Sequence, residues 1–281
     1  MASSLLAGPV SAPVARRARP GVAPSLLLSF AVIALVVLWS VMPAVFTSAD
    51  PANGDPTQKF LPPSPTYWFG TDHLGRDLFA RVVHGTASSV LSALVAVLIG
   101  VVVGGLVGLL SGFLGRWVDS VLGRLVDVLL AVPSFLLAVV VVSSLGFETI
   151  NAAIATGVSA VAVFARVMRA EVLKISRTPF VEAAALHGGS RLHVLFRHIL
   201  PNSYRSVLAL SVLQFGVSIL VIAGLAFLGY GDPPPASDWG LLVSAGKDYP
   251  LAPWLVLAPA TVIVVVVLGV NRISRWLRRS S

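Results

Sequence analysis

Few side chains in this sequence could do chemistry, and most of them fall in loops. There is no cysteine, which excludes disulfides, thiolate metal sites and cysteine nucleophiles. The five histidines, His73, His84, His187, His193 and His198, all fall outside the long apolar runs. A haem-bearing membrane redox subunit would need histidines facing each other inside. A phosphate-binding loop is also missing: Gly246-Lys247 is followed by Asp248, and position 241 is Leu rather than Gly. The residues therefore suggest no catalytic group, no metal ligands and no cofactor bound by this chain. If ATP with Mg drives the protein, another chain must bind it.

The densest polar stretch is Thr178 to Asn202, TPFVEAAALHGGSRLHVLFRHILPN. Thr178-Pro179 reads as a helix start, a capping hydroxyl followed by proline at the first helical position. Ala183, Ala184 and Ala185 carry the helix on, and Gly188-Gly189 ends it. Ser190 can cap a second helix, in which Leu192, Leu195, Phe196 and Ile199 form one apolar stripe. Pro201 is expected to stop that helix. Two short helices at an angle result. They could lie on anionic headgroups, or dock in a groove on a partner and transmit force. A second polar cluster, Asp72, Arg76, Asp77 and Arg81, sits near two candidate glycine turns at Gly70 and Gly75. It could form local salt bridges that hold a loop, or contact substrate or a partner.

The elements that carry these stretches are apolar. The 281-residue chain is 56% hydrophobic and 11% charged, with mean hydropathy +0.90. Soluble domains carry about 25% charged residues. An all-α membrane protein with six transmembrane helices is predicted, with runs near 24–46, 88–114, 128–147, 149–165, 207–230 and 253–270. The first run is too long for the apolar region of a signal peptide, so it reads as an uncleaved span. Pro133 should kink the third. Gly100, Gly104, Gly108 and Gly112 recur every fourth residue, a small-residue face for close helix packing in lipid.

Residues 1–23, rich in Pro, Ala and Ser, read as a disordered cytoplasmic tail. The six-helix domain spans 24–272, with outer loops at 47–84 and 230–252 and a cytoplasmic loop at 169–205. A basic cytoplasmic tail follows at 273–281. With both termini inside, sixteen lysines and arginines lie in cytoplasmic segments and four outside, while acids divide four inside and eight outside. Topology thus explains the net charge of +8 better than nucleic-acid binding does. No charge lies mid-span, where each costs about 2.5–3.5 kcal/mol to insert. Ion-coupled secondary transporters usually keep such charges.

Glu182-Ala183-Ala184, Gly188 and Ile199-Leu200-Pro201 together resemble the EAA loop of bacterial ABC-importer permeases. FGTDHLGRDLFARVVHG (69–85) and LAFLGYGDPPPASDWG (225–240) resemble the C-type permease subunit of the dipeptide, oligopeptide and nickel importer family. There Gly70-Thr71-Asp72 and Gly75-Arg76-Asp77 match the outer-loop signature. The similarity covers about residues 24–271. Ala80 and Ala87 stand where that family commonly has Ser and Arg, and the basic tail after Asn271 departs from its usual ending. The resemblance implies a type I ABC-importer permease fold in the bacterial cytoplasmic membrane. It implies a heterodimer with a sister permease, two ATPase subunits (or one fused), and an extracytoplasmic substrate-binding protein. Glu182 would pair with a basic group on the ATPase, Gly188 would allow the bend, and Ile199, Leu200 and Pro201 would fix the second helix against the spans. Short peptides are the expected cargo, with nickel chelates, glutathione-like compounds or haem as alternatives.

Overall fold

The computed structural model describes residues 24–280, so the tail expected over 1–23 lies outside the described residues. Every named element is helical, and the order follows the loops and caps. α1 (Pro24–Val41) leads into an extended outer segment with two short 3-10 turns, Pro43–Val45 and Pro56–Gln58. α2 (Leu78–Ile99) begins where Asp77 accepts a hydrogen bond from the Phe79 N–H at 2.9 Å. It runs through a π turn (Gly100–Gly104) into α3 (Gly105–Leu114). Because the helix starts at Leu78, Arg81 and His84 lie in its first turns, and not in the outer loop expected over 47–84.

α4 (Arg116–Ala131) and α5 (Ser134–Leu145) replace the kinked third span. They meet at 94°. Val132, the residue before Pro133, is extended, as the proline ring requires, so the helix breaks rather than bends. α5, at 12 residues, is about 18 Å long and too short to cross a hydrocarbon core of about 30 Å alone. Five helices among the described residues are long and apolar enough to span, six if the broken pair is one span.

α6 (Thr149–Ser176) is the central helix. It is capped across the fold: the Thr149 N–H donates to the Asp232 carboxylate at 2.9 Å. Ala152, Ala153, Ala155, Gly157, Ala160, Ala162 and Ala165 let neighbours approach from several sides. One apolar core joins it to α3 and the loop at 178–202, another to α2, α5 and α9 (Leu200–Phe227). A third core, from α1, α2, α10 (Trp239–Gly246) and α11 (Trp254–Ser280), closes the other flank. Residues 273–280 continue α11 as helix.

Pro201 does not end a helix. α8 (Arg191–Val194) passes through a second π turn (Leu195–Ile199) directly into α9, giving one rod from Arg191 to Phe227. The wider turn sits just before the ring, where a proline would otherwise clash with the carbonyl four residues back. The Asn202 side chain donates to the His198 carbonyl at 2.6 Å, and the Ser203 hydroxyl to that of Ile199 at 2.9 Å.

Candidate functional site: the loop at 178–202 and the cap at 54–81

The loop at 178–202 follows α6 after a two-residue link and opens with α7 (Pro179–Leu186). The Thr178 hydroxyl does not cap this helix; it donates back to the Ile175 carbonyl at 2.6 Å, while the Thr178 carbonyl accepts from Val181 and Glu182. α7 ends on Gly188, at φ +85°, with the Gly189 N–H bonded to the Ala184 carbonyl at 3.2 Å. That is a Schellman close, which needs the left-handed residue glycine supplies. The Ser190 hydroxyl then accepts from the His193 N–H at 3.2 Å and starts α8.

The loop divides cleanly by burial. Val181, Val194, Leu195 and Ile199 pack with Val172 of α6 and Val207 of α9, fixing the loop to the spans. Glu182, Ala183, Gly188 and Pro201 are exposed, while Ala184 and Leu200 are half-buried. The expected apolar stripe is split: Leu195 and Ile199 are buried, but Leu192 and Phe196 are about 60% exposed. With Phe180 and Leu186 they leave four large apolar side chains open in a segment flanked by Arg191 and Arg197. Exposed apolar groups rimmed by polar ones mark a partner surface.

On the opposite side of the chain, residues 54–81 fold into a cap. Gly70 and Gly75, both near φ +75°, turn the chain so that Thr71 and Asp77 pair as an antiparallel bridge. Thr71 is fully buried; its hydroxyl donates to the Gln58 carbonyl and accepts from the Leu61 N–H at 2.8 Å. Asp72 is the centre. Its carboxylate accepts from Arg76 Nε at 2.7 Å, from Arg81 Nη1 at 2.8 Å, and from the Leu74 and Arg76 N–H groups. Burial pulls its carboxyl pKa up, but the backbone bonds from Arg76 and Leu74 and the Arg76 guanidinium pull harder, so it ends below the ordinary value. All three side chains are about 95% buried, so this cluster is an internal strut. Asp77 takes no part in it and caps α2; burial raises its pKa.

Arg81 Nη2 reaches the Ala236 carbonyl at 3.1 Å, tying the cap to the Pro-rich segment before α10. There the Trp239 N–H donates to Ser89 at 3.0 Å and its ring N–H to the Val82 carbonyl at 3.2 Å. Asp238 caps α10 through the Gly240 and Leu241 N–H groups, yet its Oδ2 is buried without a partner. Burial, with Asp232 nearby, pushes its pKa up to about 6. Sequence reasoning passed over Asp238; an acid one residue before an apolar helix start was the available signal.

The glycine series faces α6. A Cβ on Gly104 would stand 2.4 Å from the Val161 carbonyl, and one on Gly108 2.3 Å from that of Ala165. Gly100 lies against Phe164, and Gly112 against Val172.

These features fit known proteins. Residues 100–281 match the family of binding-protein-dependent transport system inner membrane components. The chain is 37% identical to a dipeptide transport system permease protein of Alkalihalophilus pseudofirmus, over 90% of this chain and 83% of that one. It is 35% identical to a probable D,D-dipeptide transport system permease protein of Escherichia coli, over 88% and 84%. It is 40% identical to a glutathione transport system permease protein of Shigella flexneri, over 77% and 72%. Its fold is similar to a chain of the inward-facing MetNI methionine ABC transporter, with TM-score 0.55, 16% identity, and coverage of 71% of this chain and 96% of that one. On this sequence match, carried by a helical fold of the same type, the chain belongs to the family of inner membrane components of binding-protein-dependent transport systems.

Proposed function

We propose that this chain forms half of the translocation path of an ATP-driven importer of short peptides in the bacterial cytoplasmic membrane, with both termini cytoplasmic. It pairs with a sister permease, receives cargo from an extracytoplasmic binding protein, and docks ATPase subunits at residues 178–202. ATP and Mg bind on those ATPases. The observation that carries the reading is the cytoplasmic loop. One face is locked into the span core, while Glu182 and the side chains of Phe180, Leu186, Leu192 and Phe196 stand open to a partner. Closure of the ATPases would move this loop, and its buried face would pass the movement to α6 and α9. The permease relatives named for dipeptides support peptide cargo, and those named for glutathione favour a tripeptide as the second reading.

The test is uptake into vesicles holding the chain with its partner subunits and binding protein. Labelled dipeptides, tripeptides and glutathione are supplied with and without ATP. ATP-dependent uptake of peptides is expected. Uptake that runs without ATP on an ion gradient would overturn the reading.

A further inference from the structure

α4 is held to the rest of the chain in an unusual way. Of its 16 residues only Val126 is buried. Beside a small apolar cluster of Val126 with Ala162 and Ala165, its ties to α6 are polar. Arg169 donates to Asp119 through Nε at 2.5 Å and Nη2 at 2.7 Å, a two-pronged fork. The buried Ser111 of α3 adds a third bond to Asp119 at 2.6 Å. One helical turn away, Arg166 donates to Asp127 at 2.7 Å, and this pair is solvent-exposed. Between these bridges lies a cavity of about 150 Å³, bordered by Val107, Gly108, Gly123 and Ala165. The apolar contact here is small: Val126 of α4 against Ala162 and Ala165 of α6, with Val107, Leu129 and Leu130 partly buried around it.

Position gives the clamp its meaning. Arg169 lies on α6 seven residues before that helix ends, and the cytoplasmic loop follows at once. Val172, one turn beyond Arg169, shares a core with Val181, Leu195 and Ile199 of the loop. On its other side, α4 joins α5 through the break at Val132-Pro133, a natural pivot. A displacement of the loop thus has a directional polar route into the broken helix, beside the small, non-directional contact of Val126 with Ala162 and Ala165.

We propose that Asp119 and Arg169, supported by Ser111, are positioning residues that carry movement of the cytoplasmic loop into the broken α4–α5 helix during transport. The assignment rests on the reading of the chain as an ATP-driven importer. The fork fixes direction as well as distance: α4 follows α6 as one body, and the motion is released at Pro133. The Arg166–Asp127 pair, with side chains 60% and 69% exposed against 40% and 24% for Arg169 and Asp119, is screened more by water and contributes less.

The experiment uses the assembled transporter in vesicles, with ATP hydrolysis and uptake measured together. Asp119→Asn and Arg169→Gln should keep the partner subunits and still hydrolyse ATP. Uptake per ATP should fall about five- to a hundredfold, the span of ordinary site-to-site couplings. Asp119→Glu, and the exchanged pair Asp119→Arg with Arg169→Asp, should restore part of the loss, while Asp127→Asn should change little. The native chain lacks cysteine, so spin labels at Val121→Cys and Ala170→Cys report the α4–α6 distance without background from this chain. With Asp119 and Arg169 intact, that distance should be single and equal in ATP-free and ATP-trapped states; Asp119→Asn should broaden it. Unchanged uptake per ATP in both single variants overturns the proposal. So does an α4–α6 distance that shifts between the two states with Asp119 and Arg169 intact, a result that needs no destabilised variant. Wild-type uptake that ignores ATP would instead remove the importer reading on which the proposal stands.

Discussion

At the scale of single residues, two positions separate conformation from contact. Gly188 sits at φ +85°, and a Cβ there would meet nothing within 4 Å. Gly188→Val therefore acts through the backbone alone, costing about 1–2 kcal/mol for a left-handed residue with a side chain. It should weaken retention of the ATPase subunits on purification, whereas Gly188→Asn, which tolerates that conformation, should retain them. Asp238 is the second. Its pKa is about 6 in the fold against the ordinary aspartate value of 3.8, with the residue 4% exposed. Below about pH 4 both the folded and the unfolded chain are protonated here, and this site contributes fully to stability. The contribution falls as pH rises through 6, where ionisation is opposed by burial, to a loss of at most about 3 kcal/mol. Asp238→Asn keeps the cap but cannot ionise. Its melting temperature relative to wild type should therefore be higher at pH 8 than at pH 4; an equal difference at both would contradict the buried, unpaired carboxyl.

At the scale of elements, the cap and the glycine face each depend on a contact that sequence spacing only suggested. Removing Asp72 strands the Arg76 and Arg81 guanidinium groups in a buried site. Breaking such a pair costs about 3–5 kcal/mol. Asp72→Ala should abolish stable assembly of the outer loop, read as rapid proteolysis from outside, while Asp77→Asn, which preserves the cap of α2, should resist as wild type does. In the spans, Gly104→Leu forces α3 and α6 apart because the obstacle is the Val161 backbone carbonyl. Overpacking costs about 1–3 kcal/mol. Val103, 45% exposed, should accept leucine without loss of thermal stability in detergent.

At the scale of the whole molecule, the proposed topology puts the two polar regions on opposite sides of the membrane. The loop at 178–202 carries Arg191 and Arg197 and an exposed apolar face; the cap balances Asp55, Asp72 and Asp77 against Lys59, Arg76 and Arg81. Single cysteines at Ala52 and Leu186, both exposed, should react with an impermeant thiol reagent from opposite faces of intact cells. Labelling of both from outside would invert the proposed topology. The central place of α6 links the distant parts of the molecule. It touches the segment before α10 through the Thr149–Asp232 bond, the loop at 178–202 through Val172, and α4 through Arg169.

Some of this was legible in one dimension. Apolar runs and charge asymmetry mark the helices and the polar island between them, because lipid demands long uncharged segments whatever the neighbours are. Gly188 and Ser190 announce a turn and a cap, since both act through local backbone geometry. Pro201 misled, because whether proline ends a helix depends on the turn before it, and a π turn there lets the rod continue. Pro133 broke a helix that spacing only kinked, because α5 could turn toward α6 and α9. Which acid meets which base was decided in three dimensions: Asp72 gathers two arginines, Asp77 none, and Asp119 finds Arg169 fifty residues away. Ion pairing and burial depend on how helices pack, and packing across α6 brings together residues whose separation in the chain carries no periodic signal.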